Sequence, residues 1–324
     1  MTKITIFSGF LGAGKTTLIQ KLIQEGYVGE KLVLIENEFG EIGIDGGFLQ
    51  DAGIEITEMS QGCICCSLVG DFGKALRQVL ETYHPDRILI EPSGVGKLSD
   101  VIRAVQNLHM EDVTLNSFTT VADANKCKMY MKNFGEFYND QIEHANSIIL
   151  SRTDGIKPEK LEACVALLRE HNQNATIITT PWDQLTGAQI LETMEHKNTL
   201  EEELKLLAEE TEHEHHHHDH DEHDHEHHHH HHHADEVFTS WGTETTRKFT
   251  KDEIEHILEE LDNSEKYGMI LRAKGIVAGR DGEWIHFDYV PEETSVRNGS
   301  AGVIGRLCVI GSHINEAAIE ALFA

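Results

Sequence analysis

Residues 9 to 16 read Gly9-Phe10-Leu11-Gly12-Ala13-Gly14-Lys15-Thr16, an ungapped match to G-x-x-x-x-G-K-S/T. Upstream, Ile4, Ile6 and Phe7 form a short apolar run that stops at Ser8. Downstream, Leu18, Ile19, Leu22 and Ile23 recur at helical spacing. Strand, glycine loop and helix in that order are the setting in which this pattern binds phosphate. Glycines let successive N–H groups turn inward on an anion, and the following helix aims the positive end of its dipole at the same point. Lys15 is placed to reach the β- and γ-phosphates of a nucleotide, and the Thr16 hydroxyl to sit on Mg²⁺. The nucleotide contacts expected here are Gly9, Gly12, Ala13, Gly14, Lys15, Thr16 and Thr17. The alternative is a glycine-rich turn that binds nothing, which the full pattern in its full context disfavours.

Working outward, Leu32-Val33-Leu34-Ile35 reads as a buried parallel strand ending in Glu36-Asn37-Glu38. Open α/β sheets bind ligands beyond the carboxyl ends of their strands, so these residues are expected near the nucleotide. Arg87-Ile88-Leu89-Ile90-Glu91 is a second buried strand, followed by Pro92-Ser93-Gly94. Behind a phosphate loop, Glu91 is positioned to help hold Mg²⁺, directly or through water, and the Gly94 N–H to meet the γ-phosphate. The strand Ser147 to Leu150 ends in Ser151-Arg152-Thr153-Asp154, where GTPases carry N/T-K-x-D. A carboxylate at Asp154 would accept two hydrogen bonds from guanine. Arg152 replaces the usual Lys; its aliphatic stem is expected to cover the base. The other reading of Asp154 is a cap for the helix that starts near Pro158. Asp123, at the end of the strand Ser117 to Asp123, is read as structural.

Between the two acid-ended strands lies Gly62-Cys63-Ile64-Cys65-Cys66. Three thiols in four residues point to soft-metal ligation, with zinc preferred and Co²⁺ or Ni²⁺ also compatible. Small buried hydrophobes and a redox pair are the alternatives. Three thiolates leave a fourth position for water, a carboxylate such as Glu36, or a histidine from elsewhere.

Helices are expected at about Asp71 to Tyr83, Phe134 to Ala145 and Pro158 to His171, with a last strand at Ala175 to Pro181. From about residue 196 the composition changes. Between Glu201 and Glu236 there are 14 acids against one lysine, together with 15 of the 23 histidines, seven of them consecutive. With no apolar residue from His213 to His233, this tract is expected to be disordered and to bind several metal ions reversibly. Phe238 onward restarts order. Thr250 and Glu253 read as a capping box for a helix from Ile254 to Leu261. Strands follow at Met269 to Val277, Glu283 to Val290 and Val303 to Ile310, then a closing helix from Ile314 to Phe323. The expected fold is therefore α/β. A doubly wound, mostly parallel P-loop NTPase sheet spans 1–195, an acidic His-rich linker 196–236, and a smaller C-terminal α+β domain 237–324.

The net charge of −29 argues against non-specific nucleic-acid binding. There is no run of 18 apolar residues, so no membrane helix is expected. Met1-Thr2-Lys3 leads straight into a strand without a signal-like segment, and the expected location is the cytoplasm.

Taken together, G-F-L-G-A-G-K-T-T, I-E-N-E-F-G, G-C-I-C-C, the strand ending E-P-S-G, and S-R-T-D resemble the CobW-like family of metallochaperone GTPases, relatives of the nickel GTPases of hydrogenase and urease maturation. The order of His-rich insert and small C-terminal domain is similar too. The resemblance implies GTP hydrolysis with Lys15, Thr16 and Glu91 in the machinery. It also implies a zinc or related site at Glu36, Cys65 and Cys66 with Cys63 beside them, and delivery to a client metalloprotein. It leaves room for a homo-oligomer. The rival readings are a histidine-rich metal buffer with a vestigial nucleotide site, and a P-loop small-molecule kinase.

Overall fold

The computed structural model describes residues 1–36, 55–58, 69–110, 112–195, 239–291 and 293–324. The chain divides into two units, Met1–Lys197 and Asn198–Ala324.

The first unit is built on β1 (Thr2–Ser8), β2 (Leu32–Glu36), β3 (Glu55–Glu58), β4 (Arg87–Glu91), β5 (Val113–Asp123), β6 (Ser147–Ser151) and β7 (Thr176–Ile178). Their order in the sheet is β3-β2-β4-β1-β5-β6-β7, and every described pairing is parallel. The helices are α1 (Lys15–Glu25), α2 (Val69–Tyr83), α3 (Leu98–Gln106), α4 (Cys127–Glu143), α5 (Pro158–His171) and α6 (Gly187–Met194). Strands covered on both faces need apolar residues at every position, and β2 and β4 supply them: Leu32 to Ile35 and Ile88 to Ile90 are all buried. From β1 the chain crosses over β4 to reach β2, and from β4 it crosses over β1 to reach β5, so the connections from this pair run in opposite directions. That switch point opens a crevice at the carboxyl ends of β1 and β4, where the phosphate loop begins.

The opposite end of the sheet is tied by a buried cation. Arg87, at the start of β4 and 1% exposed, donates to Glu30 Oε2 at 2.6 Å, Glu195 Oε1 at 2.7 Å and Thr5 Oγ1 at 3.0 Å. Its guanidinium stacks over the Tyr27 ring at 4.6 Å. A buried arginine is tolerable only with this degree of pairing.

Several elements differ from the sequence expectation. The helix expected from Phe134 begins seven residues earlier, at Cys127, and is kinked at Phe134, whose φ of −135° and ψ of 29° are not helical. The Phe134 ring lies 5.0 Å from that of Phe10, so the phosphate loop and α4 share an aromatic contact. β5 starts at Val113 rather than Ser117, because its first residues are only partly buried and carry little apolar pattern. α3 and α6 are additional helices.

The second unit has β8 (Thr239–Thr245), β9 (Lys248–Phe249), β10 (Met269–Gly279), β11 (Trp284–Val290), β12 (Glu293–Gly299) and β13 (Gly305–Ser312). The sheet order β12-β11-β10-β13-β8 is antiparallel throughout, with β9 paired parallel to β10. Helices α7 (Lys251–Glu260), α8 (Ser264–Tyr267) and α9 (Glu316–Phe323) complete it. Ile254, Leu258, Ile319 and Phe323 pack with Val277, Phe287, Leu307 and Val309 in one core. The Thr250–Glu253 capping box forms with both reciprocal bonds.

Candidate functional site

The loop after β1 is shaped by the backbone. Gly9 has φ +141°, and a Cβ there would lie 2.3 Å from the Val121 carbonyl oxygen on β5, so only glycine passes. Gly94 is equally constrained: its Cβ would fall 2.8 to 3.1 Å from Leu11. The Pro92-Ser93-Gly94 segment thus presses directly against the glycine loop. Gln141, fully buried on α4, holds this segment by donating to Gly94 O at 3.1 Å and Gly96 O at 2.8 Å.

α1 starts at Lys15 with no side-chain cap and no acid in its first turn. Its leading N–H groups are therefore left for an anion, and the dipole favours negative charge there. Lys15 Nζ donates to Gly9 O at 3.0 Å and sits 3.8 Å from Glu91 Oε1. Thr16 Oγ1 donates to the same carboxylate oxygen at 3.5 Å. A hydroxyl and a carboxylate so placed are hard oxygen donors, which suits Mg²⁺.

Glu36 ends β2 and Glu91 ends β4, and the two are partners in register across the parallel pair. A cleft of about 570 Å³ opens above them. Gly12, Gly14, Lys15, Thr16 and Thr17 line it from the loop side, and Glu36, Glu91, Gly94 and Arg152 from the strand ends. Ala13 is buried beneath the loop, its N–H bonded to Phe10 O. A second, mainly apolar cavity of about 420 Å³ lies beside Leu76, Leu108, Met110 and Leu115, and none of the expected site residues reaches it.

One side of the cleft is organised by Arg152. Its φ of 56° turns the chain out of β6. Its Nη1 donates to Asp123 Oδ2, and its Nη2 donates to Gly12 O at 2.9 Å. The guanidinium therefore clips the glycine loop to the end of β5, a role beyond covering a base with its stem. Asp123 is 1% exposed and also accepts from Asn125 N at 2.9 Å. Trp182 donates its indole N–H to Leu150 O at 2.9 Å and lays its ring beside Gly14. Asp154 is exposed, and it is not among the residues that line the cleft. Of the side chains that support the cleft, Asp123 is read as structural from the sequence and takes that role by holding Arg152, whereas Gln141 carried no signal at the level of sequence.

Cys63, Cys65 and Cys66, with Asn37 and Glu38, lie outside the described residues, as does the histidine tract. Among the described residues, no group of three or more His, Cys, Asp or Glu side chains could hold a metal ion. Of the expected metal ligands, the structure therefore places Glu36 alone.

A family model described as "CobW/HypB/UreG, nucleotide-binding domain" matches residues 3–179, more than half of the chain. The chain belongs to the CobW/HypB/UreG family. In this CobW-family chain, residues 238–324 match a second model, described as the cobalamin synthesis protein cobW C-terminal domain. The zinc chaperone YeiR of Escherichia coli is 30% identical over 188 residues, 58% of this chain and 57% of that protein. The zinc chaperone CobW of Sinorhizobium sp is 34% identical over 188 residues, 49% of this chain and 53% of that protein. The chain thus spans about half the length of the curated relatives it matches. Among solved structures, the Zn(II)-bound YjiA GTPase of E. coli aligns over 99% of this chain and 98% of its own, at 20% identity and a TM-score of 0.42. Among the described residues, no helix is long and apolar enough to cross a membrane.

Proposed function

We propose that this chain is a GTP-hydrolysing metallochaperone. It binds zinc, or a related divalent transition metal, at Glu36, Cys63, Cys65 and Cys66 and hands it to a client metalloprotein. The observation that carries the reading is the register of Glu36 with Glu91. It sets the carboxylate expected at the metal site and the carboxylate expected at the nucleotide's Mg²⁺ on adjacent strand ends of one cleft. Two relatives carry the name zinc chaperone, which supports zinc as cargo.

The geometry supports the following division of labour. The open N–H groups of α1 and the ammonium of Lys15 bind the phosphates; Lys15 gives up its bond to Gly9 O in doing so. Thr16 and Glu91 would hold Mg²⁺, which when bound neutralises charge on the β- and γ-oxygens. Arg152 keeps the glycine loop in place, and the Asp154 carboxylate selects guanine through two hydrogen bonds. Gln141 fixes the Gly94 segment against the loop.

The test is steady-state turnover of the full chain with GTP and with ATP, with and without Zn²⁺. The same assay follows for Cys65→Ser and Cys66→Ser. The reading expects GTP preference and zinc-sensitive turnover that the cysteine variants lose. Stoichiometric metal binding without hydrolysis would make the protein a buffer. Turnover only in the presence of an added acceptor would make it a kinase.

A further inference from the structure

Three of the six cysteines belong to the 63–66 motif, and Cys308 lies in the second unit. The remaining two meet inside the nucleotide-binding unit. Cys127 is the first residue of α4, and Cys164 lies within α5, 37 positions later in the chain. Both are free thiols, 2% and 4% exposed. Their Sγ atoms are 3.0 Å apart, with Cys164 donating to Cys127. The Tyr138 hydroxyl also donates to Cys127 Sγ, at 3.2 Å, and Cys127 in turn donates to the Asp123 carbonyl at 3.3 Å.

This pair is not symmetrical. Cys127 receives two hydrogen bonds and stands in the first turn of a helix, both of which favour a thiolate. The hydrogen bond from Cys164, with that from Tyr138 and against the opposing effect of burial, lowers the Cys127 thiol from its ordinary value. Donating to Cys127, reinforced by burial, pushes Cys164 the other way. One sulfur is set up as nucleophile and the other as the proton-bearing partner in contact with it.

The pair also sits beside the base loop. Asp123 and Asn125, in the turn just before Cys127, hold Arg152: Asp123 binds its guanidinium, and Asn125 Nδ2 donates to its carbonyl at 3.2 Å. From α5, Lys160 Nζ donates to Asn125 Oδ1 at 2.7 Å. The turn before α4 therefore holds Arg152 and is itself tied to α5 through Lys160 and Asn125, and the two thiols lie where those helices meet.

We propose that Cys127 and Cys164 are a redox dithiol, oxidised to an intramolecular disulfide by low-molecular-weight disulfides, and that the bond braces the loop from Arg152 to Lys157. The Cys127 thiolate attacks one sulfur of the oxidant, forming a mixed disulfide and releasing one thiolate. Cys164, once deprotonated, attacks Cys127 Sγ and expels the second. Two protein thiols are oxidised, one small disulfide is reduced to two thiols, and the two protons pass to those leaving groups. Reaction requires the first turn of α4 to open, so it proceeds more slowly than at an exposed thiol.

The experiment uses the full chain with Cys63, Cys65 and Cys66 replaced by Ser, treated with glutathione disulfide, alkylated and mapped by peptide mass spectrometry. The expected product is a Cys127–Cys164 cross-linked peptide, formed under native conditions and reversed by dithiothreitol. Cys164→Ser should accumulate the glutathione mixed disulfide on Cys127. Cys127→Ser should leave Cys164 reduced for about tenfold longer. In the cross-linked form, backbone amides of residues 152–157 should exchange hydrogen about threefold more slowly. None of these readouts needs bound nucleotide, so they stand or fall separately from the proposed GTPase. Oxidation only after unfolding, or equal reactivity of the two single variants, overturns the dithiol. Unchanged exchange at 152–157 in cross-linked protein overturns the bracing.

Discussion

Replacing Arg152 by Ala tests the clip between the glycine loop and the end of β5. The substitution removes a charged partner from Asp123, which is 1% exposed, and a hydrogen bond of 2.9 Å from Gly12 O. Breaking a fully buried ion pair costs about 3–5 kcal/mol. Two features reduce that here. The Arg152 side chain is 53% exposed, so water already screens half of the pair, and Lys126 Nζ remains 3.8 Å from the same Asp123 oxygen. An expected loss of about 1.5–2.5 kcal/mol follows. For a unit of this size each kcal/mol moves the midpoint by about 2–4 °C, so thermal unfolding should fall by roughly 3–10 °C. Arg152→Lys should recover part of the loss, since an ammonium can reach Asp123 or Gly12 O but lacks the fork that spans both. The Asp123→Asn, Arg152→Ala cycle should return a coupling of at least about 1 kcal/mol. Nucleotide affinity should weaken by about tenfold in Arg152→Ala, because the glycine loop loses its anchor. Unfolding within about 0.5 kcal/mol of the parent, with zero coupling to Asp123, would refute the clip.

Lys15→Ala should abolish nucleotide hydrolysis and weaken nucleotide binding, as measured by turnover and calorimetry, because the phosphates lose their main side-chain charge. Asp154→Asn should cost on the order of 2–3 kcal/mol in GTP affinity and improve binding of xanthosine triphosphate; equal binding of GTP and ATP by the parent protein would sink the guanine assignment. Arg87→Met should destabilise by about 3–5 kcal/mol in denaturant titration, since it leaves Glu195 buried without its arginine, while nucleotide affinity stays within about twofold.

Much of the nucleotide-binding unit was legible because its physics is local. Buried parallel strands are continuous apolar runs, and Leu32 to Ile35 and Arg87 to Glu91 declared themselves that way. The helix from Pro158 to His171 matches its pattern end to end, with Pro at its first position. What escaped either lacked a readable local pattern or was held by partners distant in sequence. β12 is the polar, mostly exposed edge strand Glu293–Gly299, so it has no alternation to read. The start of α4 does carry an apolar stripe, Cys127, Tyr130, Met131 and Phe134 at i, i+3, i+4 and i+7, but Lys126, Lys128 and Lys132 between them broke up its reading. The site showed the same division. Gly9, Lys15, Thr16 and Glu91 follow from motif spacing, whereas the hold of Gln141 on Gly94 spans 47 residues and that of Arg152 on Gly12 spans 140. Such bonds are products of the topology, and nothing in either local sequence encodes them.

The register of Glu36 with Glu91 bears on how a metal and a nucleotide could inform each other. Parallel neighbours are about 4.8 Å apart along the sheet, so two carboxylates at adjacent strand ends lie roughly 5–8 Å apart. At about 7 Å and an effective dielectric constant near 20, two unit charges interact by about 2 kcal/mol. Two carboxylates that close repel, and Lys15, 3.8 Å from Glu91, offsets part of that repulsion. When Lys15 turns to phosphate, that offset weakens at the strand ends, while the Mg²⁺ proposed at Glu91 enters with the nucleotide and opposes a second cation beside it. In the proposed reading, GTP that binds without Mg²⁺ therefore tightens zinc through charge alone, before any loop moves. Linkage then requires zinc to tighten GTP by the same factor, about 10–30-fold for a coupling near 2 kcal/mol. Charge coupling of this kind has a signature that loop ordering lacks. Replacing Glu91 by Gln should remove most of the coupling while leaving zinc bound. Zinc affinities measured without Mg²⁺ in the absence of nucleotide, with GDP and with a non-hydrolysable GTP analogue decide it. An undiminished difference between the GDP and GTP forms in Glu91→Gln would place the coupling in the loops instead.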